Sequence, residues 1–249
     1  MQSAATMDRK MGTVLDALES TELGDNTIII CTTDHGIPFP GMKCRLKDAG
    51  TKVMLIMKDG AELSGGNVVD GMVNNIDIFP SLCDYLGIDI PDHVEGRSFM
   101  PLVRGEKEEV NEALFFEINY HAAYEPLRAV RTNRWKYIRR FEPRERPVLI
   151  NCDGSLSKEQ WLDAGWSTKP PAEEALYDLI LDPNEQNNLA GNSEFSEVLK
   201  NMRDKLEQHM RESNDPLVTE GDVPLPATAS LNSRDSIDGS DGRLPDGQR

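Results

Sequence analysis

No run of apolar residues in this chain approaches the roughly 20 needed to cross a bilayer. No secretory signal peptide opens it either. Cysteine is scarce, at four in 249 residues, and its positions at 31, 44, 83 and 152 make neither a disulfide framework nor the CxxC pairs of a zinc site. Positive charge is also short. Against 43 Asp and Glu stand 27 Lys and Arg, a formal net charge of −16 that disfavours nucleic acid as a partner. Arg139, Arg140, Arg144 and Arg146 cluster locally but form no stripe, and read as a surface cluster.

What is present is enough chain for one domain and a smaller appendage, with 38% hydrophobic residues. Met7, Met11, Val14, Leu15 and Leu18 recur at helical spacing, which predicts an amphipathic helix over 7–20 lying on a sheet with its methionines in the core. An apolar strand comes next at 28–31, and 53–57 reads as another strand of the same sheet. Residues 75–86 read as a helix stopped by Gly87, with Asp77 as a helix-start residue rather than a catalytic carboxylate. Together these predict an α/β region over 1–110. Short strand-like runs at 113–120, 128–132, 136–141 and 175–179, then a helix over about 194–210, predict a small α+β subdomain over 111–214 with an antiparallel sheet. Trp135 and Tyr137 lie on one of those runs, where core packing competes with stacking on a sugar ring. Pro, Gly, Ser and Asp dominate from residue 215, so 215–249 is expected to be a disordered or irregular tail.

The run from Asp25 to Gly36 carries the most chemical information. Its β-branched stretch Ile28, Ile29, Ile30 and Cys31 has too few polar positions for a half-exposed strand and predicts a buried strand of a parallel sheet. Ligands of such sheets gather at the carboxyl ends of the strands, where Asp34 and His35 stand. Gly36 is expected to turn the backbone, and the stiff Ile37-Pro-Phe-Pro-Gly41 loop leads to Lys43, nine positions after Asp34. An Asp-His pair followed by a cation suits a tetrahedral oxyanion, since a metal can polarise one oxygen while the cation neutralises another. The alternative is a turn capped by Asp34 beside a surface histidine, and a solvated Lys43. His121 falls in a turn near Tyr120, Tyr124 and Glu125, where it is either a donor to an oxygen-rich ligand or a structural residue.

Five segments in order resemble one family. The run 25–36 resembles the metal-binding strand of the formylglycine-dependent sulfatases, members of the alkaline phosphatase superfamily. Residues 43–53, with Asp48-Ala-Gly-Thr-Lys, resemble the stretch where that family carries a basic residue and then its Tyr-Glu-Gly-Gly loop. Residues 75–88 and 96–102, then 128–138 with Arg128-Ala-Val-Arg131, then 176–189 with Leu176-Tyr-Asp178 and Asp182-Pro-Asn-Glu185, resemble three further family patterns. Within the family, 37–40 and 121–128 look most like the heparan N-sulfatase branch.

The resemblance implies an α/β fold that is part of an alkaline-phosphatase-like sandwich with a mainly parallel sheet, joined to the small antiparallel subdomain. It implies a hydrolase of sulfate esters or sulfamates, with a saccharide or small-molecule sulfate ester as partner. Asp34 and His35 would bind a divalent metal, Lys43 and His35 would be catalytic, and His121 and Arg128 would contact substrate. The family metal is usually Ca²⁺, while His35, standing where most sulfatases have Asn, suits Mn²⁺ or Zn²⁺. The family's nucleophile, a Cys oxidised to formylglycine within Cys-x-Pro-x-Arg or Cys-x-Ala-x-Arg, has no counterpart among the four cysteines. The expectation is therefore a carboxyl-terminal portion of the fold, separated from its amino-terminal half and inactive alone. A phosphoryl or phosphonate ester hydrolase of the same superfamily, favoured by Asp-His, and a non-catalytic binding remnant are the alternatives.

Overall fold

The computed structural model describes residues 2–59, 63, 65–245, 247 and 248. Helices and strands run α1 (Gln2–Glu19), β1 (Ile29–Thr32), α2 (Asp48–Thr51), β2 (Leu55–Lys58), α3 (Ile78–Leu86), α4 (Met100–Val103), β3 (Leu114–Tyr120), β4 (Tyr124–Arg131), β5 (Trp135–Arg140), α5 (Leu156–Asp163), β6 (Glu174–Asp178), α6 (Ser196–Glu212) and α7 (Pro216–Thr219). They form two compact units, one of residues 1–33 and 54–110, the other of 34–53 and 111–249. The division differs from one at residue 110 because residues 34–53 pack with the later unit. No helix among the described residues is long and apolar enough to cross a membrane.

In the first unit β1 and β2 pair antiparallel, Ile29 opposite Lys58 and Thr32 opposite Leu55. The parallel neighbour expected for this apolar run is not found among the described residues. Nor is the strand buried as expected, since Ile29, Ile30 and Cys31 are half-buried and Thr32 is exposed; a β-branched run suits a pleated surface whichever way its neighbour runs. The core here is Leu63, Phe99, Met100 and Leu102, with Ile28, Leu55, Met57 and Ile78 packed against it. A 3₁₀ turn, Asn75–Asp77, leads into α3 and is closed by a capping box in which Asp77 accepts from the Asn74 N–H, while its other oxygen takes the Arg97 N–H, each at 2.8 Å. Gly87 ends the helix at φ 66°. Helix α1 forms as its spacing predicts but buries no residue, and Met7 is 51% exposed, so its methionines are not core. Spacing fixes an apolar face; what covers it is a tertiary matter.

The second unit is a four-stranded antiparallel meander in the order β3-β4-β5-β6. Phe115, Val130, Tyr137 and Leu176 lie in one cross-strand row. That face packs on Leu199, Met202, Leu206 and Met210 of α6, a 3.6-period stripe. Trp135 and Tyr137 are therefore packing residues: Tyr137 is fully buried, and Trp135 meets Phe195 edge-on at 5.8 Å. The opposite row, Phe116, Ala129 and Ile138, packs with Leu46 of the 34–53 segment.

Two strand residues expected to be accessible are committed to ion pairs inside this unit. Arg128 keeps only 3% side-chain exposure and grips Asp215 with two bonds, one of 3.0 Å, besides donating to the Ile118 and Leu127 carbonyls. These partners engage Arg128, expected as a substrate contact, within its own unit. Arg140, expected as a surface charge, is buried and donates to Glu125 at 2.8 Å.

The stretch from 215 opens with the short helix α7 and is anchored along its length: Val223 and Leu231 are buried with Tyr124, Asn232 N–H bonds Ala122 O at 2.8 Å, and Arg144 binds Asp235. Asp246 and Arg249 lie outside the described residues. Low apolar content does not prevent order here, because polar contacts anchor the stretch.

Glu125 is the pivot of the docked segment, buried between Arg45 and Arg140 and bonded by Asn151 Nδ2 at 3.0 Å. Burial alone would raise its carboxyl pKa, but the two guanidiniums hold it below the usual carboxylate range. A depressed folded-state pKa gives stability that is present above the unfolded pKa and lost as pH falls through the folded one. Glu125→Gln leaves two buried cations short of their counter-charge, so unfolding free energy should fall by about 3–5 kcal/mol at pH 7. The difference from wild type should shrink on acidification. Denaturant titrations at several pH values check both; an unchanged midpoint at pH 7 would contradict the pairing.

Candidate functional site

Residues 34–43 hold the Asp34, His35 and Lys43 of the sequence motif, and backbone packing rather than a strand end fixes them within their unit. The Gly36 N–H donates to Gly50 O at 3.0 Å, and a methyl group at Gly36 would lie 1.9 Å from Ala49 O. At Gly50 a methyl would lie 2.2 Å from Arg45 O. Gly36 thus serves close approach; its φ is not in the left-handed region. Gly41 does supply such a turn, at φ 78°, and the Lys43 N–H closes the loop on Ile37 O at 3.2 Å.

Asp34 is open to solvent with 87% side-chain exposure, and its Oδ1 accepts the His35 N–H at 3.1 Å. His35 Nδ1 stands 2.7 Å from Gly36 O. A carbonyl only accepts, so Nδ1 carries the hydrogen and Nε2 carries the lone pair in the neutral ring. That Nε2 lies 3.5 Å from Asp34 Oδ2, which brings one carboxylate oxygen and one imidazole lone pair side by side.

Lys43 is not a solvated surface residue. Its side chain is 18% exposed and its Nζ lies 3.2 Å from Asp153 Oδ2. His121 shares this neighbourhood: partial burial, then the charges of Lys43 and His35, push its pKa below 6.5, with Asp153 opposing. The ring is therefore mostly neutral at pH 7. Lys43, His35, His121 and Asp153 thus come together, Asp34 adjoins them through His35, and Arg128 is held elsewhere.

Asp153 has no signal in the sequence, where Asn151-Cys-Asp-Gly-Ser reads only as a turn. Asn151 holds it in place, accepting the Ala123 N–H at 2.8 Å and donating to Ala123 O at 3.2 Å. That clamp ties the turn carrying His121 to the turn carrying Asp153. Cys44 and Cys152 border the same region, but burial pushes the Cys44 thiol up to about 11 and raises that of Cys152. Neither is a thiolate nucleophile at neutral pH.

No group of three or more His, Cys, Asp or Glu able to hold a metal occurs among the described residues. Asp34 and His35 fit as two donors of a larger set: one hard oxygen, one borderline nitrogen, both accessible.

Two family models match the chain: "N-sulphoglucosamine sulphohydrolase, C-terminal" over residues 43–153 and "C-terminal region of aryl-sulfatase" over 109–225. An ulvan-active sulfatase of Formosa agariphila is 29% identical over 87% of the chain and 44% of its own length. Human N-sulphoglucosamine sulphohydrolase is 27% identical over 88% of the chain and 48% of its own length. The solved structure of a 2-O GAG sulfatase superposes with a TM-score of 0.65 at 28% identity, over 86% of this chain and 42% of that one. The chain spans less than half the length of these relatives. The fold of those neighbours is the alkaline-phosphatase-like one.

If Lys43 sits against His121, the His121 ring should titrate below 6.5, and Lys43→Met should move that midpoint upward by removing one of the depressing charges. Histidine-selective NMR titration of the protein reads both. A midpoint unmoved by the substitution would separate the two residues.

Proposed function

Because the chain belongs to the sulfatase family, we propose that it supplies the charge-balancing part of a site that hydrolyses a sulfate ester or sulfamate of a sulfated sugar. The observation that carries this reading is that Lys43 and His35 of one loop meet His121 and Asp153 from distant parts of the chain, beside the accessible Asp34 carboxylate. The kinship with N-sulphoglucosamine sulphohydrolase favours a sulfated glucosamine as the substrate.

The roles come from protonation and position. Lys43, held by Asp153 without being fully buried, would meet the negative charge that gathers on the sulfuryl oxygens or the leaving atom. Its partner carboxylate keeps the ammonium aimed between turnovers. His121, neutral at pH 7, offers one N–H and one lone pair, which suits a sugar hydroxyl that must be both accepted from and donated to. Asp34 and the His35 Nε2 would hold part of the coordination shell of a divalent cation, Ca²⁺ by family and Mn²⁺ or Zn²⁺ by the imidazole donor. Such an ion, when bound, supplies Lewis-acid polarisation of a sulfate oxygen. The bond-breaking step needs a nucleophile, and none of Cys31, Cys44, Cys83 or Cys152 opens the family's nucleophile motif. The part of Asp34, His35, Lys43 and His121 would then be to bind, orient and neutralise.

Two measurements on a complete enzyme, in which this chain works together with the family's nucleophile motif, test the reading with N-sulfoglucosamine as substrate and released sulfate as readout. Lys43→Ala should lower kcat by roughly 10²-fold, the scale for loss of one oxyanion stabiliser, and Lys43→Arg should keep more because the charge survives. Asp34→Ala should lose bound metal, measured by elemental analysis, together with activity. Full metal content and normal turnover in Asp34→Ala would remove it from the ligand set.

A further inference from the structure

Beside the charged cluster lies an apolar feature that none of these roles uses. Trp161, on α5, is 48% exposed, and the Ile37-Pro-Phe-Pro-Gly41 loop exposes Ile37 at 56% and Phe39 at 43%. Isolated exposed apolar residues are ordinary on a protein surface. These are not isolated, and they are not loose. Trp161 is braced edge-on by Trp166, with ring centres 5.6 Å apart at 80°. On the loop side, a Cβ at Gly41 would touch the Trp161 Cη2 at 3.8 Å, so the indole tip sits against a residue that has no side chain to cover it.

The same two segments meet again at the site. Residues 41 and 161 touch at one point, and residues 43 and 153 form the Lys43–Asp153 pair at the other. Asp153 lies three positions before α5 begins at Leu156. The exposed indole therefore continues the surface on which Lys43 stands, on one short helix and one proline-stiffened loop. Both Pro38 and Pro40 limit the backbone freedom of that loop.

A pyranose ring presents hydroxyls at its rim and C–H groups on its faces, and an immobilised indole with an open face is the complementary partner for a C–H face. We propose that Trp161, flanked by the 37–41 loop, is a stacking platform for the sugar ring next to the sulfated one, so that the site takes an oligosaccharide rather than a lone sulfated monosaccharide. This rests on the sulfated-sugar reading above and adds to it a neighbouring subsite and a residue that determines substrate length. The charged cluster would discriminate the sulfate, and the platform would discriminate the sugar attached to the sulfated ring.

The test has two arms, both on a complete enzyme in which this chain works together with the family's nucleophile motif. The first compares kcat/KM for N-sulfoglucosamine with that for a disaccharide in which N-sulfoglucosamine is linked to a uronic acid. Trp161→Ala should lower the preference for the disaccharide by about tenfold, the scale of one aromatic contact, and Trp161→Phe should keep most of it. Equal losses on both substrates would mean that Trp161 only supports the fold and would overturn the proposal. The second arm needs no turnover: the same disaccharide without its sulfate should alter the indole fluorescence of the wild type and not that of Trp161→Ala. Fluorescence response without hydrolysis would keep the platform and remove the hydrolase reading. Hydrolysis with no response and no change in disaccharide preference would keep the hydrolase and remove the platform.

Discussion

The site depends on how residues 34–53 are docked onto the second face of the β3–β6 sheet, and that docking is done by buried charge. Lys136 is wholly buried, with its Nζ 2.8 Å from Asp48 Oδ1 and 3.0 Å from Thr51 Oγ1. Arg131 adds a second cation to Asp48 at 3.2 Å. Burial would raise the Asp48 carboxyl, but Lys136 and Arg131 hold it below the usual range. Glu185 completes the knot: its carboxylate accepts the Asp48 N–H and its backbone carbonyl accepts from the Lys47 ammonium, while burial pushes its carboxyl upward against the pull of Lys136. Buried ion pairs of this kind recover little more than their desolvation cost, so their main effect is on register. Sliding the segment by one residue would take Asp48 and Thr51 from Lys136 and Arg45 from Glu125, a penalty of several kcal/mol.

Once docked, the segment receives the rest of the site from distant parts of the chain. Asn151 joins the turns of His121 and Asp153. Lys158, buried in α5, donates to Cys152 O at 2.8 Å and also to Ile237 O, so the late stretch of the chain braces the same turn from the other side. Asn232 bonds Ala122 O, next to His121. A stretch poor in apolar residues thereby becomes a strap, because each anchor is a buried donor that would otherwise lack an acceptor.

Much of this is legible in local pattern. The strands of the meander, helix α6 and the cap at Asp77 come from alternation, periodicity and capping chemistry, which act over a few residues. Asp34, His35, Lys43 and His121 can be singled out because an acid, an imidazole and a cation at loop positions have few structural uses. Arg128 cannot be told from a ligand contact, since its partner Asp215 lies 87 positions away. Asp153, Asn151 and Trp161 carry no local signal for the same reason: their meaning comes from what the fold sets beside them. Ser155 caps α5 by accepting the Lys158 N–H, but a capping residue alone does not say that the helix borders a site. The antiparallel direction of β1 and β2, and the uncovered face of α1, are likewise decided by partners rather than by sequence spacing.

Charge sets a last constraint on how such a site can work. With a formal charge of −16 the chain offers no long-range attraction to a sulfated saccharide, and at physiological salt its field is screened beyond about 8 Å. Binding must then come from contacts made at close quarters. Lys43 contributes one such contact, but Asp153 neutralises part of its charge, and His121 is mostly uncharged at pH 7. With so few cationic side chains at the site among the described residues, neutral contacts would share the task of holding an anionic sugar. A hydrogen bond from His121 and an exposed indole braced near Lys43 are contacts of that kind, and salt weakens them less than it weakens an ion pair.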